Sequence, residues 1–191
     1  MRRTRPGREA ISHAVRDRAR NRQLRSWALA EHWQTRWGDD ASRIAPSSWT
    51  EPNQEDWCEA IDRKVKAKTH VMIVAHSLGC LAAAHWIATR MQKPIRGALL
   101  VTPPDRYAPS FPATASTFVA ADEQRVKVPG LIVCSDDGPY CTPKATNEIA
   151  RQWELPTVEA GALGHINSES GVGEWTQGQT MISVLLAMAT R

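Results

Sequence analysis

A chain of 191 residues with 42% apolar content is long enough for one domain with a single core and too apolar to be disordered throughout. Its net charge of +4 is unevenly placed: residues 1–25 carry nine arginines against Glu9 and Asp17, and the remainder carries 15 basic and 18 acidic residues. The basic character therefore belongs to a leading segment with no RNP pattern, zinc-ligand spacing or heptad repeat, which excludes a specific nucleic-acid module, and the body is mildly acidic.

Residues 1–30 read as a basic, atypical N-terminal segment with little order, and residues 31–191 as the folded domain. Arg2, Arg3 and Arg5 are followed by no apolar stretch, so the start is not a secretory signal, and no run reaches the ~20 apolar residues of a membrane span. A cytoplasmic protein without a membrane partner is expected. Cys58, Cys80, Cys134 and Cys141 form no C-x-x-C pair and are expected to be reduced, mostly buried thiols.

After the basic segment comes a tryptophan-dense stretch holding Trp27, Trp33, Trp37, Trp49 and Trp57. Residues 54–67 are an amphipathic helix by pattern, with Trp57, Ile61 and Val65 four apart. Val71-Met72-Ile73-Val74-Ala75 is a continuous apolar run without alternation, the pattern of a strand buried on both faces of a parallel sheet. A helical stretch from Cys80 to about Arg90 follows. Gly97–Val101 and Leu131–Cys134 repeat the strand pattern, and residues 102–129 between them hold five prolines and read as an irregular excursion. Residues 143–153 are predicted helical with Pro143 in the first turn. Residues 157–160 are a last strand and residues 175–190 a closing helix. Alternating strands and helices specify an α/β fold with a mainly parallel central sheet flanked by helices.

Ala75-His76-Ser77-Leu78-Gly79 lies between a strand and a helix, the small-x-Ser-x-Gly pattern of an α/β-hydrolase nucleophile elbow. The turn lifts the Ser77 hydroxyl above the carboxyl end of the strand, and small residues at 75 and 79 let strand and helix approach closely. The Leu78 N–H, at the helix start, is the expected oxyanion donor, with His76 beside it on the substrate side. A serine hydroxyl needs a base, and the base an orienting acid, in the chain order Ser, Asp or Glu, His. Downstream histidines are His85, inside the helix, and His165, in the glycine-rich loop after the last strand; His165 is the expected base. The acid is expected after Leu131–Cys134, from Asp137, with Asp136 as the alternative. This chemistry requires neither metal nor cofactor.

Taken together, His32-Trp33-Gln34-Thr35-Arg36-Trp37, Val74–Ala82, His85-Trp86, Gly97–Asp105, Asp137–Cys141 and Gly164-His165-Ile166-Asn167 resemble a small serine-hydrolase family that includes bacterial YdeN-type proteins and retinoblastoma-binding protein nine. The resemblance covers about residues 31–188. It implies a compact α/β-hydrolase without a large lid, cleaving small esters or amides through Ser77 and His165. Two positions depart from the family pattern. Alignment on Pro139 and Tyr140 puts Gly138 where the family carries its catalytic Asp, one residue after Asp137. The family also begins with a strand and a Pro-Gly loop ahead of His-Trp-Gln, whereas here Arg16–Glu31 contain nothing strand-like, so the first strand is expected to be absent or replaced. The arginine-rich stretch points to a shifted reading frame or displaced start over those residues.

The expected function is that of a serine hydrolase, an esterase or small amidase or peptidase, whose rate is impaired by these departures. The alternative is a weakly active or inactive hydrolase-fold binding protein. The expected partner is a small-molecule ester or amide; oligomeric state is left open.

Overall fold

Four short apolar runs pair side by side as parallel strands, β1 (Met72–His76), β2 (Gly97–Val101), β3 (Gly130–Cys134) and β4 (Thr157–Glu159), in that spatial order. The structure is a computed structural model describing residues 28–66, 68–92, 95–119 and 125–189. The register places Ala75 opposite Leu100, Leu100 opposite Ile132, and Ile132 opposite Thr157. Parallel neighbours need a crossover between them. Helix α3 (Leu78–Thr89) follows β1, and α4 (Pro143–Trp153) joins β3 to β4. Two helices precede the sheet, α1 (Ala28–Trp37) and α2 (Gln54–Val65), and α5 (Thr176–Met188) follows it. The basic N-terminal segment lies, over residues 1–27, outside the described residues.

The period-2 alternation of β2 and β3 divides the core into two layers. Ala98, Leu100 and Ile132 face α2, α3 and α4, packing with Trp57, Ile61, Leu81, Trp86 and Trp153. Leu99, Val101 and Val133 face the other way, toward Trp33 of α1, Ile166, and Trp175, Ile182 and Leu185 at α5. Both faces of the central strands are covered, which is why these runs are apolar at every position.

The helix ends follow their capping residues. Asn53 caps α2 by accepting the Asp56 N–H, and Thr142 caps α4 by accepting the Ala145 N–H ahead of Pro143. Trp57, Ile61 and Val65 are buried as their spacing predicts. The indole N–H groups of Trp57 and Trp86 donate to the Ser48 carbonyl and to Asp62 Oδ1. All four cysteines are free thiols, three of them buried, with burial pushing Cys58 up to about 11 and Cys80 further. Among the described residues no helix is long and apolar enough to cross a membrane.

β1 departs from the expectation of burial on both faces. Only Ala75 is buried, and Val74 is 38% exposed. The reason is its place in the sheet. Among the described residues β1 pairs with β2 alone, so it forms an edge, and apolar composition does not report how many neighbours a strand has.

The tryptophans hold α1 to α5. Trp33 stacks on Trp175 with ring centroids 5.7 Å apart and planes 4° from parallel, and its N–H donates to the Glu174 carbonyl at 2.9 Å. Gly178, in the first turn of α5, lies beneath the same ring: a Cβ there would sit 2.3 Å from Trp175 Cε3. Gly178→Ala is therefore a balance between about 1 kcal/mol of helix propensity gained and about 1–3 kcal/mol of overpacking. With Trp175 held by the Trp33 stack, overpacking wins. The variant is expected to lower the urea midpoint, by about 1–2 kcal/mol of stability; an unchanged or raised midpoint would show that Trp175 moves freely.

Candidate active site

Ser77 links β1 to α3 with φ 55° and ψ −129°, a left-sided backbone conformation that costs a non-glycine residue of order 1–3 kcal/mol. The strain is held by what flanks it. The Ser77 N–H donates to the Val101 carbonyl at 2.9 Å, extending the β1–β2 ladder, and its carbonyl accepts from Cys80 as the helix begins. A Cβ on Gly79 would lie 3.9 Å from Ala75 Cβ, an ordinary contact, so the junction has room for alanine at position 79. Leu78 opens α3, so its N–H has no carbonyl four residues back to bond within the helix and points out at the positive end of the helix dipole.

His165 Nε2 lies 2.9 Å from Ser77 Oγ. The loop that carries it turns on residues of positive φ, at Gly161 (83°), Gly164 (58°) and Ile166 (47°). Ile166 is fully buried in the core, and Asn167 starts a short 3-10 turn over residues 168–170 through a capping box with Ser170. The loop is then bonded to the carboxyl end of each of three strands. From β1, His76 Nε2 donates to the His165 carbonyl at 2.7 Å. From the end of β2, Thr102 Oγ1 donates to the same carbonyl at 3.3 Å. From the end of β3, Ser135 Oγ accepts the Leu163 N–H at 2.9 Å, and Asp137 Oδ1 accepts the Gly164 N–H at 2.7 Å.

Those bonds change the expected part of two residues. His76 is directed not at the substrate side but beneath the loop, its ring 4.6 Å from that of His165. Burial lowers its pKa and keeps it neutral, and because the His165 carbonyl only accepts, Nε2 carries the proton. Asp137 is not brought onto the His165 ring. Its Oδ1 receives the Gly164 N–H and lies 2.8 Å from Ser135 Oγ, and these donors hold its pKa below the usual carboxylate value. Asp136 is exposed, and its backbone N–H donates to the Gly161 carbonyl. Among the described residues neither carboxylate, nor any other acid, hydrogen-bonds the second ring nitrogen of His165. Burial, helped by His76, pushes the His165 pKa down to about 3, so the ring is neutral. A neutral ring with its proton on Nδ1 leaves Nε2 to accept the Ser77 hydroxyl.

Two residues of the site were not singled out by pattern, Thr102 and Ser135; Tyr140, a landmark of the family alignment, meets the His165 ring edge-on at 4.7 Å. Thr102 and Ser135 stand one residue past the ends of β2 and β3, where open α/β sheets gather polar groups, and that placement is the signal that would have found them. Among the described residues no cluster of histidine, cysteine and carboxylate side chains could hold a metal ion.

The profile of the Serine hydrolase family matches residues 27–184. Among solved structures, the chain is similar to a YdeN-like hydrolase from Pectobacterium atrosepticum, at 26% identity and a TM-score of 0.74 over 84% of this chain and 83% of that one. It is also similar to the ydeN gene product from B. subtilis, at 18% identity and a TM-score of 0.68, covering 81% and 88% of the two chains. A monoacylglycerol lipase from Paleococcus ferrophilus shares the fold at 13% identity and a TM-score of 0.59, over 72% and 76%. The chain matches no curated protein.

Asp137→Asn keeps an oxygen for the Gly164 N–H while removing the charge. It is expected to lower kcat/KM for ester hydrolysis by less than about tenfold, whereas loss of a ring-orienting acid costs ~10⁴; a loss near the larger figure would place Asp137 on the ring. The low pKa of His165 sets the pH dependence. A general base works while neutral, and this ring takes a proton only near pH 3. The rate is therefore expected to hold as pH falls from 7 to 5, and a half-maximal point near the ordinary imidazole value of 6.5 would contradict it.

Proposed function

The chain belongs to the serine hydrolase family, and on that premise we propose that it cleaves small esters or amides by acyl transfer to Ser77. The observation that carries the proposal is the 2.9 Å contact between His165 Nε2 and Ser77 Oγ. It is within the reach a general base needs to take the hydroxyl proton as the oxygen attacks. The tetrahedral oxyanion would be held by the Leu78 N–H at the start of α3, where the helix dipole adds to the hydrogen bond. The acyl-enzyme would then be opened by water, with His165 removing its proton. His76 and Thr102 support the base by fixing its backbone, and Asp137 by fixing Gly164.

Turnover is proposed to be slow. His165 at a pKa of about 3 is a weak proton acceptor, and among the described residues no acid is hydrogen-bonded to the ring to stabilise the imidazolium that forms when it takes the proton. The same observation favours a second reading, a hydrolase-fold protein that binds small acyl compounds and turns them over little or not at all.

A fluorophosphonate probe distinguishes the two, since it needs an activated serine but no turnover. The expected result is stoichiometric labelling of the folded protein, lost in Ser77→Ala and strongly slowed in His165→Ala. Folded protein left unlabelled would favour the binding reading.

A further inference from the structure

Among the described residues no acid bonds the His165 ring, so its orientation toward Ser77 needs another source. Its backbone is fixed where His76 and Thr102 donate to its carbonyl, which leaves the side-chain torsions open. Two rings touch the imidazole. His76 is 4.6 Å away with planes at 58°, and Tyr140 is 4.7 Å away at 70°, the edge-to-face arrangement that aromatic pairs favour. Tyr140 and His165 also share the wall of a gap lined by Thr102, Ser135 and Thr146. The gap holds about 10 Å³, room for one water at most, so this side of the ring meets protein and not bulk solvent. Tyr140 is itself held. Its carbonyl accepts the Asp105 N–H at 2.9 Å, joining the loop after β3 to the loop after β2, and Asp105 Oδ1 accepts the Tyr107 N–H at 2.9 Å. Among the described residues the Tyr140 hydroxyl makes no hydrogen bond, so what the residue gives the site is its ring.

We propose that Tyr140 is a positioning residue for the base: its ring, in place of a bonded acid, holds the His165 imidazole toward Ser77 and keeps water off it. This rests on Ser77 and His165 acting as nucleophile and base. An aromatic pair of this kind favours one ring orientation by about two- to tenfold. Shielding acts on protonation as well. Burial is the main cause of the lowered His165 pKa, with His76 second, and it favours the neutral ring. Around the ring, His76 is buried and neutral, and the Cys134 and Cys141 thiols that line the gap are pushed up and stay protonated. The carboxylates of the flanking loops, Asp105, Asp136 and Asp137, do not bond to it; Asp137 is held on the Gly164 N–H and Asp105 on the Tyr107 N–H. Water admitted at Tyr140 therefore raises the His165 pKa from about 3 toward the ordinary 6.5. The base is then lost to protonation at a higher pH.

The test compares Tyr140→Phe, which keeps the ring, with Tyr140→Ala, which removes it, each checked for folding by circular dichroism. In crystal structures, His165 Nε2 should stay about 2.9 Å from Ser77 Oγ in Tyr140→Phe. In Tyr140→Ala the imidazole should be turned away or split between orientations. Fluorophosphonate labelling rates should be level from pH 7 to 5 in the wild type and in Tyr140→Phe. In Tyr140→Ala they should fall about three- to tenfold over that span, as His165 takes a proton. The NMR titration of the His165 ring protons should move upward with them. Should Tyr140→Ala not fold, Tyr140→Gln, which also removes the ring, is read in the same way. A ringless variant with the imidazole in place and a level pH profile would overturn the role of Tyr140 while labelling of the wild type leaves the hydrolase reading standing. A Tyr140→Phe variant as disturbed as the ringless one would also overturn it, since the hydroxyl and not the ring would then matter. The crystal and NMR readouts need no turnover. A wild type that resists labelling, with the ring displaced and its titration raised only in Tyr140→Ala, would uphold Tyr140 as the holder of His165 and overturn the hydrolase reading.

Discussion

The His165 carbonyl is the point from which the site is built. It accepts from His76 at the end of β1 and from Thr102 just past β2, while the residues before it bond to Ser135 and Asp137 past β3. A loop with three positive-φ residues has many conformations open to it, and fixing each residue costs ~1–2 kcal/mol. These bonds, with the Ile166 side chain buried in the core, select one of them. The imidazole then stands over the strained serine. If the carbonyl had only one donor, the ring would still exist but its distance to Ser77 would not be held.

The sheet explains why those donors are available. Parallel strands of similar length present their carboxyl ends on one rim, so His76, Thr102 and Ser135 come together there although they are far apart in sequence. Ser77 is held from the same rim through Val101. Substrate chemistry and loop support thus share the ends of three strands. The sheet itself depends on the two-layer core, in which the Trp33–Trp175 stack closes one face and the Trp57, Trp86 and Trp153 cluster closes the other. Among the described residues no acid bonds the ring, and the carboxylate expected there, on Asp137, bonds instead to the backbone of Gly164.

Much of this was legible before any coordinates. Buried parallel strands are apolar throughout, so β2 and β3 were readable from composition, and α2 and α4 from their spacing and caps. Ser77 was readable because a sharp strand–turn–helix junction restricts the residues around it, and His165 because its chain order left no other loop histidine. Less was legible where the answer depends on which atoms meet. A carboxylate in a turn can face a ring, a backbone N–H or solvent with the same residue letter, and Asp137 faces Gly164. His76 is adjacent to the nucleophile in sequence, yet strand alternation turns its side chain to the loop. The edge position of β1 was hidden for a related reason: Val71–Ala75 has the composition of a central strand, and pairing partners are not written in the strand itself. Thr102 and Ser135 are ordinary residue types whose importance comes from where two strands end.

In the mechanism proposed for this site, Ser77, activated by His165, carries the acyl group. The most direct measurement is intact-protein mass spectrometry of enzyme quenched during p-nitrophenyl acetate hydrolysis, followed by peptide mapping. One acetyl group is expected on the peptide containing Ser77, absent in Ser77→Ala and strongly reduced in His165→Ala. Hydrolysis with the acetyl group on another residue, or an acyl-enzyme that forms equally well without His165, would contradict it.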